Sequence, residues 1–315
     1  MQIQWFPGHM NKARNEVKAI IPRVDLLIEV LDARIPYSSE NPMIRELRRD
    51  TPALKILAKS DLANAKLTQH WLDWHNKRNG IAAKAITTKS KSSIKEIPGM
   101  LFELLPEEKK NKTSLLAMIA GVPNVGKSTL INILAGRIVA KTGNEPAVTK
   151  GQQRIVIGNG ITLIDTPGML WPNVVNPKSG LRLAAVGSVK DTAMEYEDVA
   201  AFIVTYLLNN RPEVAVDFYK LDSPAIDMID FFDRLGQKRG CLGKSGVVDY
   251  ERVSRIIVND FRKGSFGKIT LETPEEIEKE VAELEVALAA KSAKKEAKKE
   301  ARKAKFKARN KDKRK

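Results

Sequence analysis

The stretch Ser114-Leu-Leu-Ala-Met-Ile-Ala-Gly-Val-Pro-Asn-Val-Gly-Lys-Ser128 decides the fold. Its first seven residues form a mostly apolar run, which is typical of a buried strand. The next eight match the pattern G-x-x-x-x-G-K-[S/T], and a helical pattern follows over 127–137. Glycines let such a loop wrap its backbone N–H groups around nucleotide phosphates, and the helix N-terminus adds favourable charge. The stretch therefore predicts a phosphate-binding loop, with Lys127 at the β- and γ-phosphates and Ser128 on Mg²⁺.

Other apolar runs lie on both sides of this loop. They are Leu26–Leu31, Ala53–Ala58, Ile81–Ile86, Arg154–Ile157 and Ile161–Ile164. Asn159-Gly160 separates the last two and predicts a tight hairpin, while Thr68–Asn79 has a helical pattern. Strands that alternate with helices favour an α/β doubly wound sheet, and we assign residues 1–180 to it.

The strand–helix alternation stops after residue 180. Helical patterns cover Asp198–Asn209, a segment starting at Ser223-Pro224, and a segment capped by Asp249. We therefore predict a small all-α domain over residues 181–273 that contacts RNA or ribosomes. Residues 274–315 are predicted to be a charged helix followed by a polybasic tail. The tail is low in complexity and, alone, is expected to be disordered or a frayed helix.

Composition narrows the class of protein. The 315 residues carry a net charge of +16, and residues 291–315 alone hold fourteen Lys/Arg against three acids. Such a balance favours a polyanionic partner, although basic tails also act as solubilising appendages. A single cysteine rules out an internal disulfide, and with only three histidines a Cys/His zinc site is not expected. No apolar run reaches the roughly 18 residues of a membrane span, and no secretory leader is evident, so we expect a cytoplasmic protein.

Two further elements follow the phosphate-binding loop. Asp165-Thr-Pro-Gly168 comes directly after a predicted strand, 37 residues beyond Ser128. Asp165 is expected to bind Mg²⁺ through water, and the Gly168 backbone N–H to sense the γ-phosphate. Thr149 lies in the intervening loop, where a threonine can close on Mg²⁺ and the γ-phosphate.

A candidate base-recognition element precedes the loop. Ala58-Lys-Ser-Asp61 ends a predicted strand and is similar to the guanine motif N-K-x-D, with alanine in place of asparagine. The Asp61 carboxylate can accept both N–H groups of guanine N1 and N2, and the Lys59 stem can cover the base. On its own, K-x-D is also compatible with a solvated turn. Thr87 lies where a second guanine loop is expected.

The order of these motifs resembles that of circularly permuted GTPases. Trp5-Phe-Pro-Gly-His-Met10 and Leu31-Asp-Ala-Arg-Ile-Pro36 resemble the ribosome biogenesis GTPase A family. The resemblance implies a P-loop GTPase fold with permuted motif order, a helical domain and a GTPase that joins a late large-ribosomal-subunit precursor. It also implies contact with rRNA, release after hydrolysis, and GTP and GDP as ligands. A monomer without membrane contact is expected.

The motifs and the resemblance together assign site residues. Those predicted to bind the nucleotide are Lys59, Asp61, Thr87, Asn124, Val125, Gly126, Lys127, Ser128, Thr129 and Gly168. Those predicted to act in catalysis are His9, Lys127, Thr149 and Gly168. Those predicted to hold Mg²⁺ are Ser128, Thr149 and Asp165, and Asn124 is a candidate ligand of K⁺.

Two positions depart from common GTPase patterns. Ala58 lacks the amide that would bond guanine N7 and brace the phosphate loop, so nucleotide affinity is affected more than base identity. Met169 stands where many small GTPases place a water-orienting glutamine. Slow intrinsic hydrolysis is therefore expected. The resemblance implies that ribosomes stimulate it and that His9, in a predicted Pro-Gly turn, is the candidate group near the water.

Two other classes of protein stay open on the sequence alone. One is a P-loop kinase for a small molecule, against which Asp61 and the Asp165–Gly168 element argue. The other is a non-catalytic RNA-binding protein with a relic nucleotide site, against which the intact Lys127 and Ser128 argue. A kinase would need a second substrate for turnover. Ribosome-stimulated phosphate release would exclude a relic nucleotide site.

Overall fold

The computed structural model describes residues 5–140, 153–172, 174–223, 225–244 and 246–312, without the side chains of His9, Lys91, Ala297 and residues 301–312. The strands of this part are β1 (Leu26–Asp32), β2 (Ala53–Ala58), β3 (Ile81–Ala85), β4 (Leu115–Gly121), β5 (Gln153–Gly158) and β6 (Ile161–Asp165). The helices up to the sheet's end are α1 (Gly8–Ile20), α2 (Pro42–Arg48), α3 (Ala65–Asn76), α4 (Lys91–Lys95), α5 (Ile97–Glu103) and α6 (Lys127–Ala135). The later helices are α7 (Pro177–Ala185), α8 (Tyr196–Asn210), α9 (Pro212–Tyr219), α10 (Met228–Lys238), α11 (Tyr250–Lys263) and α12 (Pro274–Asp312).

The strands form one sheet in the order β3-β2-β1-β4-β6-β5, and all neighbours are parallel except β5 and β6. Every residue of β1 and β2 is buried, which requires both faces of the sheet to be covered. The predicted α/β doubly wound fold is therefore confirmed. The hairpin at Asn159-Gly160 is also present, and both residues have positive φ.

The parallel strands end together at one edge of the sheet. Asp32 at the end of β1 pairs with Ala58 at the end of β2, and Val30 pairs with Gly121 at the end of β4. Asp165 closes β6 on the other side of β4. The loops that carry the predicted motifs therefore start from adjacent strands, at the edge where ligands bind in open α/β sheets.

Residues up to Thr273 form one compact unit, and residues from Pro274 form a second. Helix α7 runs across residue 180, where the sequence placed a domain boundary, so the division into 1–180 and 181–273 stays a prediction. Helix α11 is capped by Asp249 as expected, because its side chain accepts from the backbone N–H of Arg252 at 3.0 Å.

The predicted start of α10 at Ser223-Pro224 is wrong, since the helix begins at Met228. Proline at a first turn was the signal that suggested the earlier start. Asp227 supplies the cap instead, because its side chain accepts from the N–H of Asp230 at 2.9 Å. For α10, a carboxylate that caps a free backbone N–H group therefore indicates the start of the helix better than the nearby proline does.

The second unit consists of α12. This helix continues to Asp312, where the sequence predicted disorder or a frayed helix. Alanine, lysine and glutamate favour helix, and Lys279 lies 4.0 Å from Glu283 one turn on. Within the described part of the chain, no helix has the length and apolar character needed to cross a membrane.

Candidate functional site

The phosphate-binding loop follows β4 in a backbone conformation that favours glycine at its two ends. A Cβ on Gly121 would lie 2.7 Å from the carbonyl oxygen of Val30. Asn124 and Gly126 have φ values of 59° and 101°, and α6 begins directly afterwards at Lys127. Left-handed residues in such a loop turn successive N–H groups towards one concave side, which suits an anion.

Lys127 and Asp165 form a buried ion pair inside this loop. The Lys127 ammonium donates to Asp165 Oδ1, and their side chains are 5% and 1% exposed. Burial raises the pKa of the Asp165 carboxyl, and the charge of Lys127 lowers it in part. Asp165 Oδ2 is buried and has no hydrogen-bond partner among the described residues. A buried carboxylate oxygen left without a partner suits a cation, so Asp165, with half-buried Ser128 beside Lys127, fits Mg²⁺.

The segment after β6 lies on the phosphate-binding loop. The Thr166 hydroxyl donates to the Ile119 carbonyl at 2.9 Å, and the Met169 N–H reaches the Gly121 carbonyl at 3.3 Å. A Cβ on Gly168 would lie only 3.1 Å from Pro123 Cα. Gly168 therefore lies against the phosphate-binding loop, and its role as a sensor of the γ-phosphate stays a prediction. Thr149 lies outside the described residues.

The turn after β2 meets the same loop from the other side. Lys59 has a φ of 57°, and its ammonium donates to the Asn124 carbonyl at 2.7 Å. Ser60 donates through its hydroxyl to the Ile86 carbonyl at 2.9 Å, which fixes the turn to the end of β3. The structure thus brings Lys59 into contact with the phosphate-binding loop, and its role in covering the base stays a prediction.

Asp61 is held by two neighbours from the segment after β3. The Thr87 hydroxyl donates to Asp61 Oδ1 at 2.9 Å, and Lys89 lies 2.8 Å from Oδ2. Burial alone would raise the pKa of Asp61, but the contacts with Lys89 and Thr87 lower it below its usual value. Asp61 is therefore ionised at neutral pH, the form that accepts two N–H groups. Sequence reasoning placed Thr87 near the base but missed Lys89.

Three other predicted residues lie within or just after the loop. The Asn124 side chain donates to the Gly187 carbonyl at 2.7 Å, beyond the end of α7. Val125 is buried, and Thr129 is half-buried in the first turn of α6. The role of Asn124 as a K⁺ ligand stays a prediction.

His9 and Met169 concern water positioning. His9 belongs to the first turn of α1, so the predicted Pro-Gly turn at this point is wrong. The Met10 N–H bonds the Pro7 carbonyl at 2.9 Å and starts the helix there. The His9 side chain lies outside the described part of the structure. Met169 is 1% exposed, so its side chain fills the core and cannot face water.

Sequence reasoning missed two charged residues that adjoin the site. Asp32 and Arg34 belong to the segment Leu31–Pro36, which carried a resemblance but no assigned role. Both are buried, at 0% and 2% exposure. The available signal was Asp32 at the end of a mostly apolar strand, because buried charges need a partner.

Three features meet at one edge of the sheet: the phosphate-binding loop, the segment with Asp165 and Gly168 at the end of β6, and the Lys59–Asp61 turn, which precedes both in the sequence. Together they define a P-loop GTPase with permuted motif order. The family model described as 50S ribosome-binding GTPase matches residues 116–229. Ribosome biogenesis GTPase A of Priestia megaterium is 42% identical over 287 residues, covering 89% of this chain and 99% of the relative. The chain belongs to the ribosome biogenesis GTPase A family.

More distant relatives agree with this assignment. Ribosome biogenesis GTPase A of Thermotoga maritima is 30% identical over 87% of this chain and 96% of its own. The crystal structure of GNP-bound YlqF from T. maritima has a TM-score of 0.59 and 26% identity, covering 84% of this chain and 99% of that one. The protein is therefore a GTPase, with GTP as substrate and Mg²⁺ as the usual metal of this class.

Proposed function

We propose that the protein is a GTP-hydrolysing assembly factor of the large ribosomal subunit in the cytoplasm. It binds a precursor particle and its rRNA as a monomer in the GTP state, and it leaves after hydrolysis. The convergence of the Lys59–Asp61 turn, the phosphate loop and Gly168 at one edge of the sheet carries this proposal. The +16 net charge supports an rRNA partner.

Contacts between the site and segments that follow α7 support a nucleotide-dependent binding posture. The Ile269 N–H donates to the Leu62 carbonyl at 3.0 Å, one residue after Asp61. The Asn64 N–H donates to the Thr270 hydroxyl at 3.1 Å. The turn after β2 therefore touches residues that follow α7. The phosphate-binding loop does so too, because the Asn124 side chain donates to the Gly187 carbonyl. We propose residues 181–273 as the part that reports the nucleotide state to the ribosome.

The proposed reaction is attack of water on the γ-phosphate. Lys127 would stabilise charge on the β- and γ-phosphates, and Ser128, Thr149 and Asp165 would hold Mg²⁺, which neutralises developing charge when bound. Gly168 would sense the γ-phosphate through its N–H group. Asn124 would contribute to a K⁺ site.

His9 is proposed to orient the attacking water, because buried Met169 cannot. Replacement by alanine should lower the ribosome-stimulated kcat by about 10²–10⁴-fold and leave GTP affinity nearly intact. Equal losses in both would assign His9 a structural role. Single-turnover phosphate release, beside equilibrium nucleotide binding, separates the two outcomes.

Co-sedimentation with precursor particles of the large subunit tests the function as a whole. The protein should pellet with the particles in the presence of a non-hydrolysable GTP analogue and stay in the supernatant with GDP. The particles should also accelerate phosphate release. Lys127→Ala is the control for phosphate release, because it removes charge and donors from the phosphate site and should abolish hydrolysis. Equal binding in both nucleotide states would contradict the proposed switch.

A further inference from the structure

Asp32 is a buried carboxylate at the end of β1, beside the nucleotide site. Strand β1 lies between β2, which leads to Lys59, and β4, which leads to the phosphate loop. Asp32 is 0% exposed. An ionised carboxylate at such a position is costly unless cations and hydrogen bonds compensate its charge.

Two cations supply this compensation from different sides. The Arg34 guanidinium binds Asp32 in a bidentate manner, with Nε 2.9 Å from Oδ1 and Nη2 2.8 Å from Oδ2. The Lys59 ammonium lies 2.9 Å from Oδ2. Burial alone would raise the pKa of Asp32, but the charges of Arg34 and Lys59 hold it well below its usual value. Asp32 is therefore an ionised acceptor that fixes both cations.

Lys59 links this carboxylate to the phosphate loop. Its ammonium donates to Asp32 and, at 2.7 Å, to the Asn124 carbonyl. The residue before it, Ala58, is buried and has no polar side-chain group to offer. The lysine is thus held at two points, one in the sheet and one in the loop.

Arg34 is fixed in turn by residues from the end of the helical part. Its carbonyl accepts from the Leu271 N–H at 2.8 Å, and its Nη1 lies 3.4 Å from the Arg262 carbonyl. The guanidinium also lies 5.6 Å from the centroid of the Phe261 ring. These contacts leave the Arg34 side chain one orientation from which it holds Asp32.

We propose that Asp32 and Arg34 are positioning residues for guanine-nucleotide binding. Through Lys59 they fix the spacing between the Lys59–Asp61 turn and the phosphate loop, which one nucleotide must span. A site held in its bound geometry loses less conformational entropy on binding and so binds more tightly. Both side chains are buried and bonded to each other, so we expect them to act on affinity and to leave the chemical step unchanged. The inference rests on the proposed nucleotide site.

A second buried ion pair on the same strand provides a matched control. Glu29 of β1 bonds Lys55 of β2, and both side chains are 1% exposed. Lys55 also lies 3.0 Å from Glu40, and this cluster starts three residues earlier on β1 than Asp32. Glu29→Gln therefore removes a buried charge from the same strand without touching Lys59.

The first experiment compares Asp32→Asn, Arg34→Lys and Glu29→Gln in the full-length protein. A fluorescent GDP analogue gives the Kd, and initial rates give KM and kcat. We expect Asp32→Asn to raise both the Kd and the KM by roughly tenfold or more and to change kcat by less than about twofold. This is the effect of losing a charge-assisted contact. Arg34→Lys should give a smaller loss in the same direction. Glu29→Gln should lower the thermal midpoint but leave the Kd unchanged.

A double-mutant cycle shows whether Asp32 acts through Lys59. In the Lys59→Met background, Asp32→Asn should cause no further loss of affinity, because the ammonium that it orients is gone. Additive losses, or an equal loss in Glu29→Gln, would overturn the inference. If Asp32→Asn does not fold, Arg34→Lys in the same cycle decides it. Absence of nucleotide binding in the unmodified protein would instead refute the proposed nucleotide site.

Discussion

Asp61 shows how single contacts prepare one side chain for its proposed role. Thr87 and Lys89 keep it ionised, and Lys59 reaches the phosphate loop at the same turn. Two acceptor oxygens match the two N–H groups that guanine presents and adenine lacks. Base identity at this site is therefore expected to depend on the carboxylate itself.

Asp61→Asn should exchange the base preference. The amide offers one acceptor and one donor, which suits xanthine better than guanine. We expect GTP affinity to fall by about 10- to 100-fold and xanthosine triphosphate to become the better ligand. Equilibrium binding of both nucleotides measures this. Asp73→Asn, an exposed carboxylate on α3, is the control and should leave both affinities unchanged. An unaltered preference for GTP would locate base recognition elsewhere.

His75 is a buried titratable group away from the site. It is 0% exposed, and neither ring nitrogen has a hydrogen-bond partner among the described residues. Burial, the largest cause, lowers its pKa to about 3, with Lys55 and Arg78 acting in the same direction and Glu40 opposing them. The imidazole is therefore neutral in the folded protein, whereas it binds a proton below about pH 6.5 in the unfolded chain.

This difference in proton binding makes stability depend on pH. The unfolded chain binds more protons as the pH falls, so the free energy of unfolding should decrease by about 2 kcal/mol between pH 7 and pH 5. His75→Phe should remove this component of the decrease. Urea unfolding at the two pH values measures it, and exposed His70, replaced by glutamine, is the control. The same decrease in the His75 variant would contradict the argument.

At the scale of elements, the segment after β6 and the phosphate loop are in direct contact. Gly168 lies against the backbone of Pro123, and the Met169 N–H bonds Gly121. These contacts mean that a shift in either segment moves the other. The turn after β2 is joined in the same way to the segment around Ile269, because the Leu62 carbonyl accepts from the Ile269 N–H.

Gly168→Ala should slow GTP hydrolysis while leaving nucleotide affinity nearly unchanged. The added Cβ lies 3.1 Å from Pro123 Cα, so one segment must move by a few tenths of an ångström. We expect phosphate release to slow by at least tenfold, since positioned groups lose much of their effect when displaced slightly. The affinity for GDP should change by less than threefold. Gly99→Ala is the matched control, because its Cβ would meet nothing within 4 Å. Undiminished hydrolysis in Gly168→Ala would refute the sensor role.

At the scale of the whole molecule, charge is concentrated towards the end of the sequence. Residues 291–315 carry fourteen Lys/Arg and three acids, and α12 forms a unit of its own. Such a segment cannot bury a core, so its proposed contribution to binding is neutralisation of phosphates with release of counterions.

Deletion of residues 291–315 should flatten the salt dependence of binding to ribosomal particles. If about half of the cations touch phosphate, the negative slope of log K against log[salt] should become less steep by about 5–6 units. Basal GTP hydrolysis should barely change, because no predicted nucleotide motif lies beyond Gly168. An unchanged slope would make the tail a solubilising appendage, and a lost basal rate would place it at the nucleotide site.

The sequence by itself determined the strands, the phosphate loop and the permuted order of motifs. These features depend on short-range chemistry, in which apolar runs form buried strands and glycines permit the turn before Lys127. It also assigned Lys59, Asp61 and Thr87 to one nucleotide site, whereas the bond between Thr87 and Asp61 is seen only in the structure. The start of α10 was predicted wrongly, because the cap of Asp227 outweighed the signal of a nearby proline.

Only the tertiary structure decided how the charged residues are paired. Asp32 meets Lys59 and Arg34 because adjacent strands end at one edge. Arg34 meets Arg262 across 228 positions in the chain. Local patterns carry no information about such pairs, since a buried charge can be compensated by any cation that the fold brings near. The partner is set by strand order and by the return of residues 269–271 to the sheet edge.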